Sequence, residues 1–279
     1  MNMDLSALMS EPVVRVLAFA AIFVVMGLWE FMRPRRQLRA SKPRRWTTNL
    51  SIVGLGVAMT RVMGFVAQPL LATGAAALAQ SQGWGLLNYA ALPRVVEVVL
   101  AVVVLDFAIW TQHVLSHRIP VLWRLHRMHH ADLDFDVTTA LRFHPVEIGL
   151  SMIYKVGWVL LLGPSVLAVI IFEVVLNACA VFNHANVSLP GWLERPLRQV
   201  LVTPDMHRVH HSTLPHEHHT NFGFNLSLWD RLFATYTAQP AAGHADMSIG
   251  LPDYRDAGPT RLSWSLALPF RGTPKARSK

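Results

Sequence analysis

Histidine dominates the second half of this chain. All fourteen fall at or after His113, and their spacings repeat. His113 and His117 stand four apart. His126, His129 and His130 form H-x-x-H-H, and His207, His210 and His211 form it again. Imidazole titrates near neutrality and is the commonest protein ligand for transition metals. Crowded imidazoles repel when charged and lose free energy when buried neutral without partners. A shared metal centre relieves both. On a helix, His113 and His117 share a face and can chelate one ion. Each H-x-x-H-H unit places two ligands on one face and a third beside it, so one unit can hold one metal while reaching a second.

Other polar residues line up with these boxes. Asp106, Trp110, His113 and His117 step by four, three and four residues, one continuous helical stripe. Asp106 then lies roughly 10 Å along the axis from His113. An ionisable group at that depth is a functional candidate, here as an acceptor that orients a ligand imidazole. Glu173, Asn177 and His184 make a second polar stripe that should line a cavity or support the metal. H-E-x-x-H is absent, since His216-Glu217-His218-His219-Thr220 fails at its last position, which argues against a zincin protease. The carboxylate-rich E-x-x-H di-iron pattern is absent too. What remains is a metal pair held by nitrogen, and imidazole suits iron, zinc, copper and nickel alike.

The elements that position these residues are apolar. Hydrophobic residues make up 52% of 279 and charged residues 15%, too apolar for an ordinary soluble domain. The formal charge of +8 is divided among loops between apolar runs, which argues against nucleic acid as partner. Spanning stretches are expected at 13–32, 50–71 and 95–110. The run 146–180 is broken at Gly163-Pro164 into a hairpin of two helices. Asp4 and Glu11 make the front of the chain acidic, so the first stretch reads as an anchor rather than a leader. The basic segment 33–45 should be cytoplasmic, with the N-terminus outside and 73–93 an external loop. This predicts an all-α integral membrane bundle of four to five spans with a cytoplasmic histidine-rich helical cap, in a cell inner membrane. Three regions are expected: anchor spans and basic loop at 1–94, the histidine-box region at 95–237, and a cytoplasmic tail at 238–279 ending in a mobile basic segment. The single Cys179 excludes a disulfide scaffold and reads as a packed apolar side chain.

The boxes together resemble the fatty acid hydroxylase/sterol desaturase superfamily over roughly 95–237. Supporting residues are Asp106, the run Arg142-Phe143-His144-Pro145-Val146-Glu147, Asn183-His184-Ala185-Asn186, Thr203-Pro204-Asp205-Met206 before the third box, Asn221-Phe222-Gly223, and Leu228-Trp229-Asp230-Arg231-Leu232-Phe233. The three residues inside the first box resemble the sterol-desaturase branch. The resemblance implies two iron ions (zinc being a substitute as purified) and O2, used to hydroxylate or desaturate a C–H bond of a lipid. It implies His113, His117, His126, His129, His130, His184, His207, His210 and His211 as ligands. Some relatives carry a further histidine where this chain has Ser188. His144 and Glu147 are expected as supporting or substrate-side groups, and Asn221 and Asp230 as residues that fix imidazole tautomers. His216, His218, His219 and His244 are expected in solvated loops. With no haem or nucleotide-binding motif, a separate ferredoxin- or cytochrome-type electron donor is implied, for which the basic segment 33–45 is one docking surface and anionic lipid the commoner partner. A membrane zinc hydrolase and a metal transporter or sensor are the alternatives.

Overall fold

The computed structural model describes residues 11–90 and 92–272. Asp4 and the segment 273–279 lie outside the described residues, as does the side chain of Glu11. The fold is all-helical, and strand pairing among the described residues is limited to two isolated bridges, Leu201 with Leu226 and Ser212 with Ile249. Among the described residues five helices are long and apolar enough to cross a membrane: α1 (Glu11–Met32), α2 (Lys42–Val66), α5 (Arg94–Arg118), α7 (Pro145–Leu162) and α8 (Val166–Asn183). Two others lie between α2 and α5, α3 (Ala72–Gln82) and α4 (Leu86–Tyr89). Phe31, Phe65 and Val95 are left exposed on the spans, as a bilayer-facing surface requires. The chain is an integral membrane protein.

The spans run longer than their apolar cores. Helix α2 starts at Lys42 rather than near 50, and α5 continues past 110 to carry both His113 and His117. The segment 73–93 is not an open loop. Ala72, Ala75, Ala76 and Ala79 form a buried small-residue stripe, and the first three pack in one cluster with Leu105, Val159, Leu162 and Phe172. Small side chains at that spacing let α3 lie close on the spans. The hairpin break is where expected. Gly163 ends α7 in the left-handed region (φ +67°) and Ser165 caps α8 by accepting from the Ala168 amide. Gly163 is required by space as well, since an added Cβ would stand 2.3 Å from the Trp84 carbonyl oxygen.

The histidine-bearing cap follows at one end of the bundle: α6 (Pro120–His130), α9 (Gly191–Leu197), α10 (Pro204–His210), α11 (Pro215–His218), α12 (Leu228–Leu232), α13 (Gly243–Asp246) and α14 (Leu262–Ala267). The three sequence regions interlock here instead of standing apart. Arg45, fully buried, binds Asp132 (2.6 and 2.9 Å) and Asp136 (2.6 Å). Arg36 donates to the His244 and Met247 carbonyls. Arg142 ties Asn49 to the Pro259 carbonyl and the Ser265 hydroxyl. So part of the basic segment is consumed internally, while Arg33, Arg39 and Arg44 stay exposed. The described part of the tail is packed on the cap.

Candidate metal centre

The boxes converge from four elements. Helix α5 brings His113 and His117. Pro120 starts α6 in the conformation proline favours at a first helical position, and its C-terminal half carries His126, His129 and His130. Thr203 caps α10 by accepting from the Met206 amide, which sets the direction of His207 and His210, with His211 just beyond. His184 closes α8. The rings meet with centroids 4.5 Å apart for His113 and His210, 4.7 Å for His129 and His211, and 4.4 Å for His184 and His207. They sort into two groups, His113, His117, His126, His130 and His210 in one, and His129, His184, His207 and His211 in the other. The i,i+4 pairs, His126 with His130 and His207 with His211, each serve one group. The remaining histidine of each box faces the other group. All nine residues that the sequence singled out as ligands are buried here.

Hydrogen bonds fix the tautomers. His113 Nδ1 lies 2.7 Å from the Phe222 carbonyl, His210 Nδ1 2.7 Å from that of Thr220, and His184 Nδ1 2.7 Å from that of Ala180. His126 Nδ1 lies 2.7 Å from Glu147 Oε1. These oxygens only accept, so each Nδ1 carries the proton and each Nε2 is a lone pair. Yet His113 Nε2 and His126 Nε2 face each other at 3.1 Å. Two lone pairs at that separation repel unless a cation sits on both. Neighbouring nitrogens around an ion bound at 2.0–2.1 Å stand about 3.0–3.4 Å apart, so the spacing fits. The buried Nε2 atoms of His117, His130, His210 and His211 have no hydrogen-bond partner among the described residues. Burial first, then their mutual proximity, pushes His129, His130, His207, His210 and His211 well below the ordinary imidazole range, and burial brings His184 down to about 4. They are neutral and ready to ligate. The donor set fits two transition-metal ions.

The supporting residues act differently from the simplest expectation. Glu147 contacts a candidate ligand directly, His126. Asp230 and Asn221 touch no imidazole through their side chains. Asp230 accepts from the Phe222 and Gly223 amides (2.9 and 2.8 Å) and from Trp110 Nε1 (3.1 Å). Burial raises the Asp230 carboxyl, and these donors oppose that. Asn221 sits in the left-handed region (φ +55°), which asparagine tolerates better than most residues. Its side chain bonds Met206 and Thr237 (2.9 and 2.8 Å). Together they set the turn whose carbonyls, Thr220 and Phe222, hold His210 and His113. A Cβ on Gly223 would stand 2.8 Å from Val202 Cγ2, which explains the glycine. Asp106 holds no ligand imidazole either. It accepts from Trp229 Nε1 (2.8 Å) and the Leu226 amide (3.2 Å). Asp106 and Trp110 on α5 thus exchange bonds with Trp229 and Asp230 on α12. His144 points away from the centre, capping α7 at the Val146 amide and meeting the Leu266 carbonyl. Ser188 is exposed and adds no ligand.

Three features escaped the sequence reading. The Asp132, Asp134, Asp136 alternation after the second box is a clamp: Asp132 and Asp136 grip Arg45, and Asp134 accepts from the Arg39 and Ala40 amides (2.8 and 2.7 Å). Burial alone would raise Asp132, but Arg45 outweighs it and holds the carboxyl well below the usual range. His218 is not in solvent. It is buried with its ring 4.5 Å from that of His130, and burial brings it down to about 3. His244 is buried beside Asp205 and Arg208.

A cavity of about 460 Å3 opens onto His113 and His126. Its walls are mainly apolar, including Val16, Phe19, Ile109, Leu141, Phe143, Leu176 and Phe224. Gln112, Ser151, Lys155 and Asn177 add polar points. Lys155 pairs with Glu173 at 2.8 Å, and Glu173 also pairs with Arg15. The second polar stripe therefore serves the cavity through Asn177 and the first group's neighbour through His184.

Fold and site define an integral membrane protein with a buried, histidine-built centre at the end of an apolar cavity. Residues 98–235 match the fatty acid hydroxylase family, and through them the chain belongs to that family. It is 31% identical over 157 residues to ornithine lipid hydroxylase OlsE of Rhizobium tropici, covering 56% of this chain and 46% of that protein. It is 31% identical over 134 residues to alkylglycerol monooxygenase of Homo sapiens and 30% over 141 residues to that of Xenopus tropicalis, covering 48% of this chain and 29% of each. The chain spans less than half the length of these curated relatives. No solved structure matches it.

Proposed function

We propose that the protein is an O2-dependent membrane hydroxylase that inserts oxygen into a C–H bond of a lipid at two histidine-held iron ions. The observation that carries this reading is the lone-pair pairing of His113 and His126 at the end of the cavity. Iron, when bound, supplies the activation of O2 that no side chain here can provide. Oxygen insertion is favoured over desaturation because the relatives are named as a hydroxylase and a monooxygenase. One oxygen atom enters the substrate as hydroxyl, and the other leaves as water with two protons and two electrons. The electrons come from a separate ferredoxin- or cytochrome-type donor.

The chain's own residues bind, orient and exclude water. Ile109, Leu141, Phe143 and Phe224 surround the approach to His113 and His126 with hydrocarbon. Glu147 and the Phe222 and Thr220 carbonyls hold the protons on Nδ1 and so keep Nε2 free. Glu147, Ser151 and Lys155 follow at four-residue steps on α7, so Lys155 lies about 12 Å from Glu147 along the axis. The polar group of the lipid rests against this wall while an alkyl segment reaches the metal end. The exposed arginines of the segment 33–45, at the cap end of the bundle, support a cytoplasmic cap in a cell inner membrane with the N-terminus outside.

The test is turnover of iron-loaded protein in membrane-lipid vesicles with a reduced ferredoxin or cytochrome system. Oxygen uptake and a lipid product gaining one oxygen atom are expected. Stoichiometric zinc with no oxygen uptake, despite a competent donor, would overturn the reading.

A further inference from the structure

The histidines of the paired centre are buried, and the cavity that reaches His113 and His126 is walled mainly by hydrocarbon, which disfavours a hydrated ion, so the cap is the better approach for one. One route is built of histidine. His117, His218 and His219 bring ring nitrogens within 4.8 Å of one another. His117 belongs to this set and to the five-histidine group alike. Its Nδ1 faces His219 Nδ1 at 3.3 Å, which leaves its buried Nε2 for the main group. His218 lies between, with its ring 5.2 Å from His117 and 4.8 Å from His219. His219 is exposed, and so is His216 on the same short segment. The set therefore runs from solvent to a ligand of the centre without a break.

We propose that His117, His218 and His219 form a third, weaker metal site that admits divalent transition ions to the buried pair. Its all-nitrogen donors suit Zn2+, Co2+, Ni2+ and Fe2+ and disfavour Mg2+ and Ca2+. An ion held there needs only to exchange His219 and His218 for ligands of the main group while His117 turns from one set to the other. The proposal rests on the paired centre itself.

The experiment strips purified full-length protein with a chelator and titrates it with Co2+, following the ligand-field absorption and the metal content after gel filtration. Unchanged protein is expected to take two tight equivalents and a third that a mild chelator removes. His218→Gln combined with His219→Ala should keep the two tight equivalents, lose the third, and refill the tight sites about tenfold or more slowly, on the scale of losing a supporting imidazole. His216→Ala, at an exposed residue outside the set, should change neither. Loss of a tight equivalent in the double variant would mean these residues ligate the centre and would overturn the proposal. So would a double variant that keeps the third equivalent and the refilling rate. Unchanged protein with two tight equivalents and no third sinks this inference alone, whereas absence of tight binding sinks the paired centre with it.

Discussion

The two histidine groups solve the same problem by different means. In the five-histidine group three rings are held by hydrogen bonds to oxygen, His113 by the Phe222 carbonyl, His210 by that of Thr220 and His126 by Glu147, while both nitrogens of His130 are buried without partners among the described residues. In the four-histidine group, among the described residues, His184 alone has such an anchor, the Ala180 carbonyl, while the Nδ1 atoms of His129, His207 and His211 are buried without partners. Packing holds those rings. His129 stacks on Phe143 at 4.4 Å and 11°, and His184 on Phe135 at 5.5 Å. The first group opens to the cavity through His113 and His126, and no member of the second lines it. A carboxylate behind an imidazole raises its basicity as a ligand. An aromatic ring only fixes its orientation. The group that opens to the cavity is therefore the one whose electronics the protein sets.

The largest effects should come from removing one ligand in either group. His129→Ala and His210→Ala are each expected to abolish lipid oxidation and to lower bound metal from two equivalents toward one, read by elemental analysis of the purified variants. The comparison breaks if either change empties both sites equally, because the groups would then be one cooperative unit.

How far the sequence carried this division is instructive. The i,i+4 and H-x-x-H-H spacings are local helical geometry, so the split of each box between two ions could be read from residue numbers. The apolar runs and the Gly163-Pro164 break are equally local. The anchors were not legible, because three of them are backbone carbonyls and have no side-chain identity. Asp230 and Asn221 stood out as important, but they act one step back, on the turn that aims Thr220 and Phe222. The helix at 72–82 was hidden because its alanine stripe is only meaningful beside α7 and α8. Arg45 read as loop charge, since its partners Asp132 and Asp136 lie about ninety residues away and only folding unites them.

Next in size is Phe135→Ala, aimed at the packed group. Phe135 is fully buried against His184, His207 and His211. A large-to-small change of this kind costs about 3–5 kcal/mol. Thermal unfolding should fall accordingly, with metal lost first from the four-histidine site. Acidification should strike both groups. His129, His130, His207, His210 and His211 are depressed in the fold, so unfolded chain binds more protons below about pH 6.5. Stability is thus fully present above that pH and is lost as pH falls, at about 1.4 kcal/mol per pH unit for each histidine involved. Metal retention measured from pH 8 to pH 5 should fall in the same direction. A flat profile would mean these rings are not neutral in the fold.

Glu147→Gln sharpens the comparison at the other group. Glutamine keeps an acceptor for His126 Nδ1 and removes the charge. Changes of this kind typically cost 10–100-fold in metal affinity or activity. The expected result is weaker binding at the five-histidine site, little change at the other, and an unfolding temperature close to that of unchanged protein. Equal weakening at both sites would show that Glu147 supports the cap rather than the ligand.

The smallest expected effect is Trp110→Phe. It removes one donor to Asp230, whose carboxylate keeps the Phe222 and Gly223 amides and the Thr235 hydroxyl at 2.7 Å. One lost hydrogen bond with the aromatic packing retained is worth about 0.5–1.5 kcal/mol. Yet the bond sits behind the turn that aims the Phe222 carbonyl at His113, and nothing equivalent stands behind His129 or His211. The variant should therefore loosen metal at the five-histidine site slightly more than its stability loss alone would, and leave the four-histidine site untouched. Metal release followed site by site, beside unfolding of the same sample, separates the two. Release from both sites in step would mean that the Trp110–Asp230 bond is simply part of the scaffold, and that hydrogen bonding does not distinguish one group from the other.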